Sequence, residues 1–255
     1  MLQFGLGRGL LTENPAKGVK LFKGEKKERF LSQGEVVALA EALADMQDSA
    51  TLHPRMADAI RLLMLTGARK NEILKLRWNE VDIERGCLRL ADSKTGAKTI
   101  VLAAAARQVL AGLASDSEFV LPAIRGQGHL VGLQKAWEAV RARATELARQ
   151  RAGDAGETVA RAPDLSNVRL HDLRHSFASF AVADGATLYM VGKVLGHKQS
   201  RTTEIYAHLH DDPLRAVAER TAAKIADAFK VGAERERPAA RGEVVPLRPR
   251  RRAKA

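Results

Sequence analysis

The stretch PRMADAIRLLMLTGARKNEILKLRWNEVDIERGCLRLADSKTGAKTIVL, residues 54–102, changes its hydrophobic period partway along. In its first half Met56, Ala59, Ile60, Leu63 and Met64 recur every three or four residues. That spacing predicts a helix with one core-facing stripe. Pro54 suits the first turn, where its missing N–H leaves no bond unmade, and Gly67 suits the stop. A short second helix is expected over 70–76. The period then shortens to two. Val81 and Ile83 alternate with charged neighbours, Glu84-Arg85-Gly86 reads as a turn, and 87–90 and 99–102 read as two further strands. Ser93-Lys94-Thr95-Gly96 lies between those two strands. The expected class is therefore mainly α with a small antiparallel β-sheet (α+β).

Working outward, Ser32 and Glu35 have the spacing of a capping box, so a helix is expected over 32–43. Further helices are expected over 104–113, 130–150, 173–183, 188–195, 202–209 and 213–229. The segment 151–167 reads as an exposed loop, and residues 10–19 as the close of a helix with a turn at Asn14-Pro15. Trp78 and Trp137 read as core anchors, and Tyr189, between Leu188 and Met190, as core. His53 and His129 have no evident partner, and His208 and His210 are expected at the surface. No internal repeat is visible.

The chain has 255 residues, 45% hydrophobic and 28% charged, enough for a substantial core. Its 42 basic and 30 acidic residues give a net charge of +12, which favours an anionic partner such as DNA or RNA. The excess sits at the ends: residues 1–30 carry seven basic and three acidic residues, and residues 231–255 eight and three. The last segment also holds Pro238, Pro246 and Pro249 and the run Arg250-Arg251-Arg252. Such a composition cannot bury a core and predicts a basic, disordered tail. The one cysteine, Cys87, excludes an intrachain disulfide and a cysteine-based zinc site. The longest apolar run, 100–106, is far short of the roughly 20 residues of a membrane span, and the start carries no long apolar signal segment. A cytoplasmic protein is expected.

Four segments carry chemistry: 66–72 (TGARKNE), 93–96 (SKTG), 171–175 (HDLRH), and 195–197 (LGH) with Tyr206 nine residues beyond His197. Singly, each reads as ordinary solvated side chains near helix ends and turns. The third supports two chemistries. His171 and His175 are four apart, as in a zinc-binding helix, with Asp172 where a metalloprotease has glutamate. Alternatively, His171 and Arg174 are three apart and can face one phosphoryl group. The guanidinium would bond its oxygens and the imidazole move a proton.

In their order and gaps these segments resemble the tyrosine recombinase (phage integrase) family. The resemblance covers most of residues 25–230. It implies a catalytic domain of that fold, preceded by a remnant helix end and basic linker over 1–24 and followed by the tail at 231–255. It also implies a chain lacking most of the N-terminal core-binding domain that closes the family's clamp on DNA. The implied activity is site-specific DNA recombination or integration without metal, ATP or other cofactor. By resemblance, Tyr206 is the nucleophile that forms a 3′-phosphotyrosine. Arg69 and Arg174 clamp the phosphate, and Lys94 protonates the leaving 5′ oxygen. His171 takes the tyrosine proton or holds the phosphate, and His197 bonds a phosphate oxygen. Glu72 and His175 support the site. The implied partners are double-stranded DNA and three further copies of the chain, forming a tetramer on DNA that can be a monomer when free.

Elementary chemistry agrees with this set. A phosphodiester is anionic and repels nucleophiles, so transfer needs positive charge aimed at its equatorial oxygens. Free tyrosine has a pKa of about 10, and a cationic pocket favours its phenolate. Other readings stay open at this level: an inactive or weakly active DNA-binding module, a zinc hydrolase, and a DNA-relaxing enzyme of similar chemistry.

Overall fold

Residues 2–19, 29–91, 96–196 and 203 are described by the structure, a computed structural model. The chain forms α1 (Leu2–Gly7), α2 (Gln33–Asp48), α3 (Pro54–Thr66) and α4 (Lys70–Leu74), then β1 (Val81–Asp82), β2 (Cys87–Leu90) and β3 (Lys98–Val101). It continues as α5 (Ala104–Ala111), α6 (Leu133–Asp154), α7 (Leu170–Ala183) and α8 (Leu188–Leu195). The expected helices over 202–209 and 213–229, the basic stretch 20–28 and the tail lie outside the described residues.

Local chemistry fixes where several elements begin. The Ser32 hydroxyl accepts the Glu35 amide at 3.2 Å, and the Glu35 carboxylate accepts the Ser32 amide at 2.8 Å. Two of the orphan donors at the start of α2 are thereby satisfied. Arg29 pairs with the same carboxylate and also donates to the Asp164 carbonyl at 3.2 Å, tying the start of α2 to the loop before α7. Gly67 stops α3 with φ +61°, a left-handed conformation that most side chains resist.

The main core lies where α3 packs on α5 and α7 while α2 packs on α6. Ile60 and Trp137 are fully buried. The Trp137 indole N–H donates to the Val168 carbonyl at 2.9 Å, so its polar atom is satisfied inside the core. A second, smaller apolar cluster joins α7 to α8 through Ala178, Val182, Val191 and Leu195. The sheet has strand order β1-β2-β3, antiparallel throughout, with Leu88 opposite Ile100 and Leu90 opposite Lys98. Leu88, Leu90 and Ile100 point inward, and Arg89, Thr99 and Val101 outward, the alternation the sequence predicts.

Several boundaries move for identifiable reasons. Helix α2 continues to Asp48 because Met46 extends the buried stripe of Ala42 and Leu43. Helix α6 starts at Leu133 rather than 130 because the Leu130 amide donates to the Leu121 carbonyl at 2.8 Å. It then runs past 150, with Ala152 buried. Helix α7 begins three residues before 173 because Asp172 accepts the Arg169 amide at 2.7 Å and caps the first turn. The helix at the start ends at Gly7, before residue 10, and the Ala16 amide donates to the Asn14 side chain at 3.0 Å in the expected turn.

Two expectations are corrected. The segment 151–167 is not simply an exposed loop: it completes α6, adds a 3-10 turn at Val159–Arg161, and buries Leu165. The Leu165 amide donates to the Thr145 hydroxyl at 2.9 Å. Tyr189 is not core but 73% exposed. Val191, Gly192 and Leu195 occupy the inward face of α8, which turns Tyr189 and Met190 outward, and the Lys193 ammonium lies 5.4 Å from the Tyr189 ring centre. Trp78 is only half-buried, whereas Trp137 anchors the core as expected. Among the described residues no helix is long and apolar enough to cross a membrane.

Because Trp137 fills the core and satisfies its indole N–H there, Trp137→Ala is expected to cost about 3–5 kcal/mol. Urea unfolding of the two proteins measures this.

Candidate active site

The segments singled out from sequence converge on one buried guanidinium. Arg174 lies on the first half of α7, one turn after His171, with 4% of its surface exposed. One of its terminal nitrogens donates to the Gly67 carbonyl at 2.7 Å, and the other to the Leu195 carbonyl at 2.8 Å. Gly67 belongs to the first segment and Leu195 to the last. A single side chain therefore joins three of the four, across sequence separations of 107 and 21 residues.

Packing reinforces that junction. A Cβ on Gly67 would stand 2.6 Å from the Phe177 ring and 2.9 Å from a Leu195 methyl, so no side chain fits there. Phe177 is on α7 and Leu195 ends α8. The backbone carrying Arg69 thus lies flush against both elements. The Ser176 hydroxyl donates to the Asp172 carbonyl at 2.7 Å and accepts the Leu31 amide at 2.8 Å, fixing α7 against the start of the domain.

Arg69 precedes α4 and is held by Glu72, three residues on. One Glu72 oxygen, Oε2, accepts the Arg69 amide at 2.8 Å, and the other accepts its guanidinium at 2.9 Å. Oε2 also accepts the Lys98 ammonium at 2.7 Å. The Glu72 and Lys98 side chains are 6% and 8% exposed. Burial pushes the Glu72 pKa up, but bonds from Lys98 and Arg69 outweigh it and hold the carboxyl below its ordinary 4.5. The stability Glu72 lends is complete above pH 4.5 and is lost as pH falls through the lowered value. Lys98 has its pKa lowered chiefly by burial, opposed by Glu72 and assisted by the nearby charges of Arg174 and Arg69. Sequence reading passed over Lys98. Its only signal was the break in alternation, a lysine on the inward side of β3 next to Ile100's strand face.

His171 stands exposed at the start of α7, and its ring meets that of His175 edge-on at 4.8 Å. His175 in turn lies 6.5 Å from the Phe30 ring, also edge-on. The close surroundings of His171 lower its pKa below 6.5, first by desolvation, then by the charges of His175 and Arg174. Its imidazole is therefore neutral at pH 7 and can accept a proton. Asp172 does not offer a free carboxylate: it is fully buried and committed to Arg169, whose guanidinium donates to it at 2.8 Å. That leaves it unsuited to the general-base role the zinc reading needs. Among the described residues no three potential metal ligands of the His, Cys, Asp or Glu type come together.

Lys94, His197 and Tyr206 lie outside the described residues. Thr203, three residues before Tyr206, is described: it is 3% exposed, and its hydroxyl would be 2.9 Å from a Cβ on Gly192 in α8. So the structure brings together Arg69, Glu72, His171, Arg174 and His175, with Lys98 added.

The His171 environment makes a checkable statement about pH. An NMR titration of His171 should give a midpoint below the ordinary 6.5, and His175→Gln, which removes one repelling charge, should move it upward.

Comparison with known proteins gives a consistent answer. The profile of the phage integrase family matches residues 29–212. The tyrosine recombinase XerC of Mycobacterium tuberculosis (strain ATCC 25177 / H37Ra) is 29% identical over 218 residues, spanning 84% of this chain and 70% of that protein. The XerC of Mycobacterium sp. (strain KMS) is 30% identical over 216 residues, spanning 82% and 68%. Among solved structures, the XerA recombinase superposes with a TM-score of 0.54 at 21% identity, covering 84% of this chain and 70% of that one. The Tn1549 transposon integrase in complex with transposon right end DNA gives 0.56 at 18% identity, covering 86% and 75%. These two structures share its fold. With the profile spanning most of its length, the chain belongs to the phage integrase family.

Proposed function

We propose that the chain is a site-specific DNA recombinase that cuts and rejoins strands through a covalent 3′-phosphotyrosine. The observation that carries this reading is the pair of bonds from Arg174 to the Gly67 and Leu195 carbonyls. They set one buried cation at the meeting point of the segments that hold Arg69, His171 and His197. Arg69 and Arg174 would bond the nonbridging oxygens of one DNA phosphate, with His197 adding a further bond. Their charge lowers the barrier to attack on an anionic phosphorus.

In this reading the Tyr206 oxygen attacks phosphorus while the bond from phosphorus to the 5′ oxygen breaks. The tyrosine proton passes to neutral His171, and Lys94 gives a proton to the departing 5′ oxygen. The products are a 3′-phosphotyrosyl diester and a 5′-hydroxyl. One phosphodiester replaces another, so no ATP is consumed, and attack by a 5′-hydroxyl from a second duplex reseals the strand. The side chains supply the positive charge that a metal would otherwise bring. Glu72 and His175 hold Arg69 and His171 in place.

The domain reading follows: a catalytic unit over 25–230, a basic linker before it and a basic tail over 231–255 that meets DNA phosphates. Exchange between two duplexes needs four such sites, so the active species is a tetramer on DNA, assembled from copies that are monomeric when free. The lone cysteine suits a reducing compartment such as the cytoplasm.

A library of nicked duplexes with randomised arms tests this, because the short 5′-hydroxyl strand diffuses away and traps the adduct. The protein is expected to form an SDS-resistant adduct with a subset of the library, with or without EDTA. Tyr206→Phe should abolish the adduct, and Arg69→Ala or Arg174→Lys should slow it on the order of a hundredfold or more. Binding without any adduct would instead favour a DNA-binding module without activity.

A further inference from the structure

Lys98 is a buried lysine that the proposed chemistry does not use. It opens β3 opposite Leu90, and its ammonium is turned away from solvent onto Glu72 Oε2 at 2.7 Å. Its stem runs over Gly196: a Cβ there would sit 2.8 Å from the Lys98 Cδ. Gly196 itself is left-handed, with φ +68°. Lys98 therefore touches the first segment at its tip and the last along its stem, the same two segments that Arg174 joins.

The Glu72 carboxylate has three donors. Oε1 takes the Arg69 guanidinium, while Oε2 takes the Arg69 amide and Lys98. Among the described residues in contact here, Arg69, Arg174 and Lys98 set three positive charges against the one of Glu72. How the single negative charge is shared decides how much of Arg69 is left for a phosphate. With Lys98 and the Arg69 amide on Oε2, the Arg69 guanidinium meets Glu72 at Oε1. Without Lys98, Oε2 keeps only the Arg69 amide and has room for a second bond from the guanidinium, the favoured two-point geometry. Arg69 would then face its own glutamate rather than a phosphate.

We propose that Lys98 is a positioning residue for strand cleavage: by holding Glu72, it keeps the Arg69 guanidinium available to the phosphate, from a slot left open because residue 196 is glycine. This rests on the reading of Arg69 as a phosphate clamp. Lys98 acts through Glu72 and not on DNA, since its side chain is 8% exposed and its charge is directed inward.

The test uses the full chain and the nicked duplex trapped best from the library above. Lys98→Met is expected to slow adduct formation by about tenfold, and to change duplex affinity and its salt slope no more than Arg69→Ala does. Glu72→Gln sets the reference. Adding Lys98→Met to Glu72→Gln should cause no further loss, because the lysine's target is gone. That double variant also removes both buried charges together, so it stays folded if the single Lys98→Met does not, as melting curves report. Wild-type cleavage by Lys98→Met would overturn the proposal. So would losses that multiply in the double variant, or a salt slope that Lys98→Met lowers by about one even in an Arg69→Ala background, the mark of a phosphate contact of its own. Undiminished cleavage by Arg69→Ala would instead overturn the clamp reading beneath it.

Discussion

Two hydrogen bonds from a buried guanidinium organise this molecule. An arginine taken out of water is costly unless its donors are met, and Arg174 meets them on the carbonyls of Gly67 and Leu195. Those carbonyls are available because each sits where a helix ends and its last C=O groups lack helical partners. Helices α3 and α8 both terminate in left-handed glycines, Gly67 and Gly196. The chain thus turns an unavoidable defect of helix ends into a binding site for its own central cation. The same bonds fix that cation at the junction, where an incoming phosphate would find it already in place.

Around it, charge is arranged in layers. Glu72 binds Arg69 and Lys98, and Asp172 binds Arg169 at the cap of α7. Both of these carboxylates are already committed to a neighbour. Among the described residues of this junction, neither is left to repel a nucleic-acid backbone. His171, neutral because it is crowded and flanked by positive charge, is suited to receive a proton rather than to add another cation. Glycine at positions 67 and 196 serves as much by the space it leaves as by the backbone it permits: Phe177 and Leu195 fill one gap and the Lys98 stem the other.

Over the described residues, most of the secondary structure was legible in the sequence by itself. The period change across 54–102 located two helices and a three-stranded meander, because burial of one face imposes a period of 3.6 or 2 whatever the tertiary partners are. The ordered segments around Arg69, His171 and Arg174 were legible because their residue types suit a single anion. What the sequence could not determine was which apolar residues face inward when both neighbours are apolar: Tyr189 reads as core, yet the phase of α8 is set by contact with α7 and turns it outward. Nor could it find Lys98, whose meaning lies in a carboxylate 26 residues away and a glycine nearly a hundred residues on. Only the tertiary structure decided those, because long-range contacts between charged groups leave no periodic trace in the chain. They become visible when packing brings the groups together in a medium that screens them little.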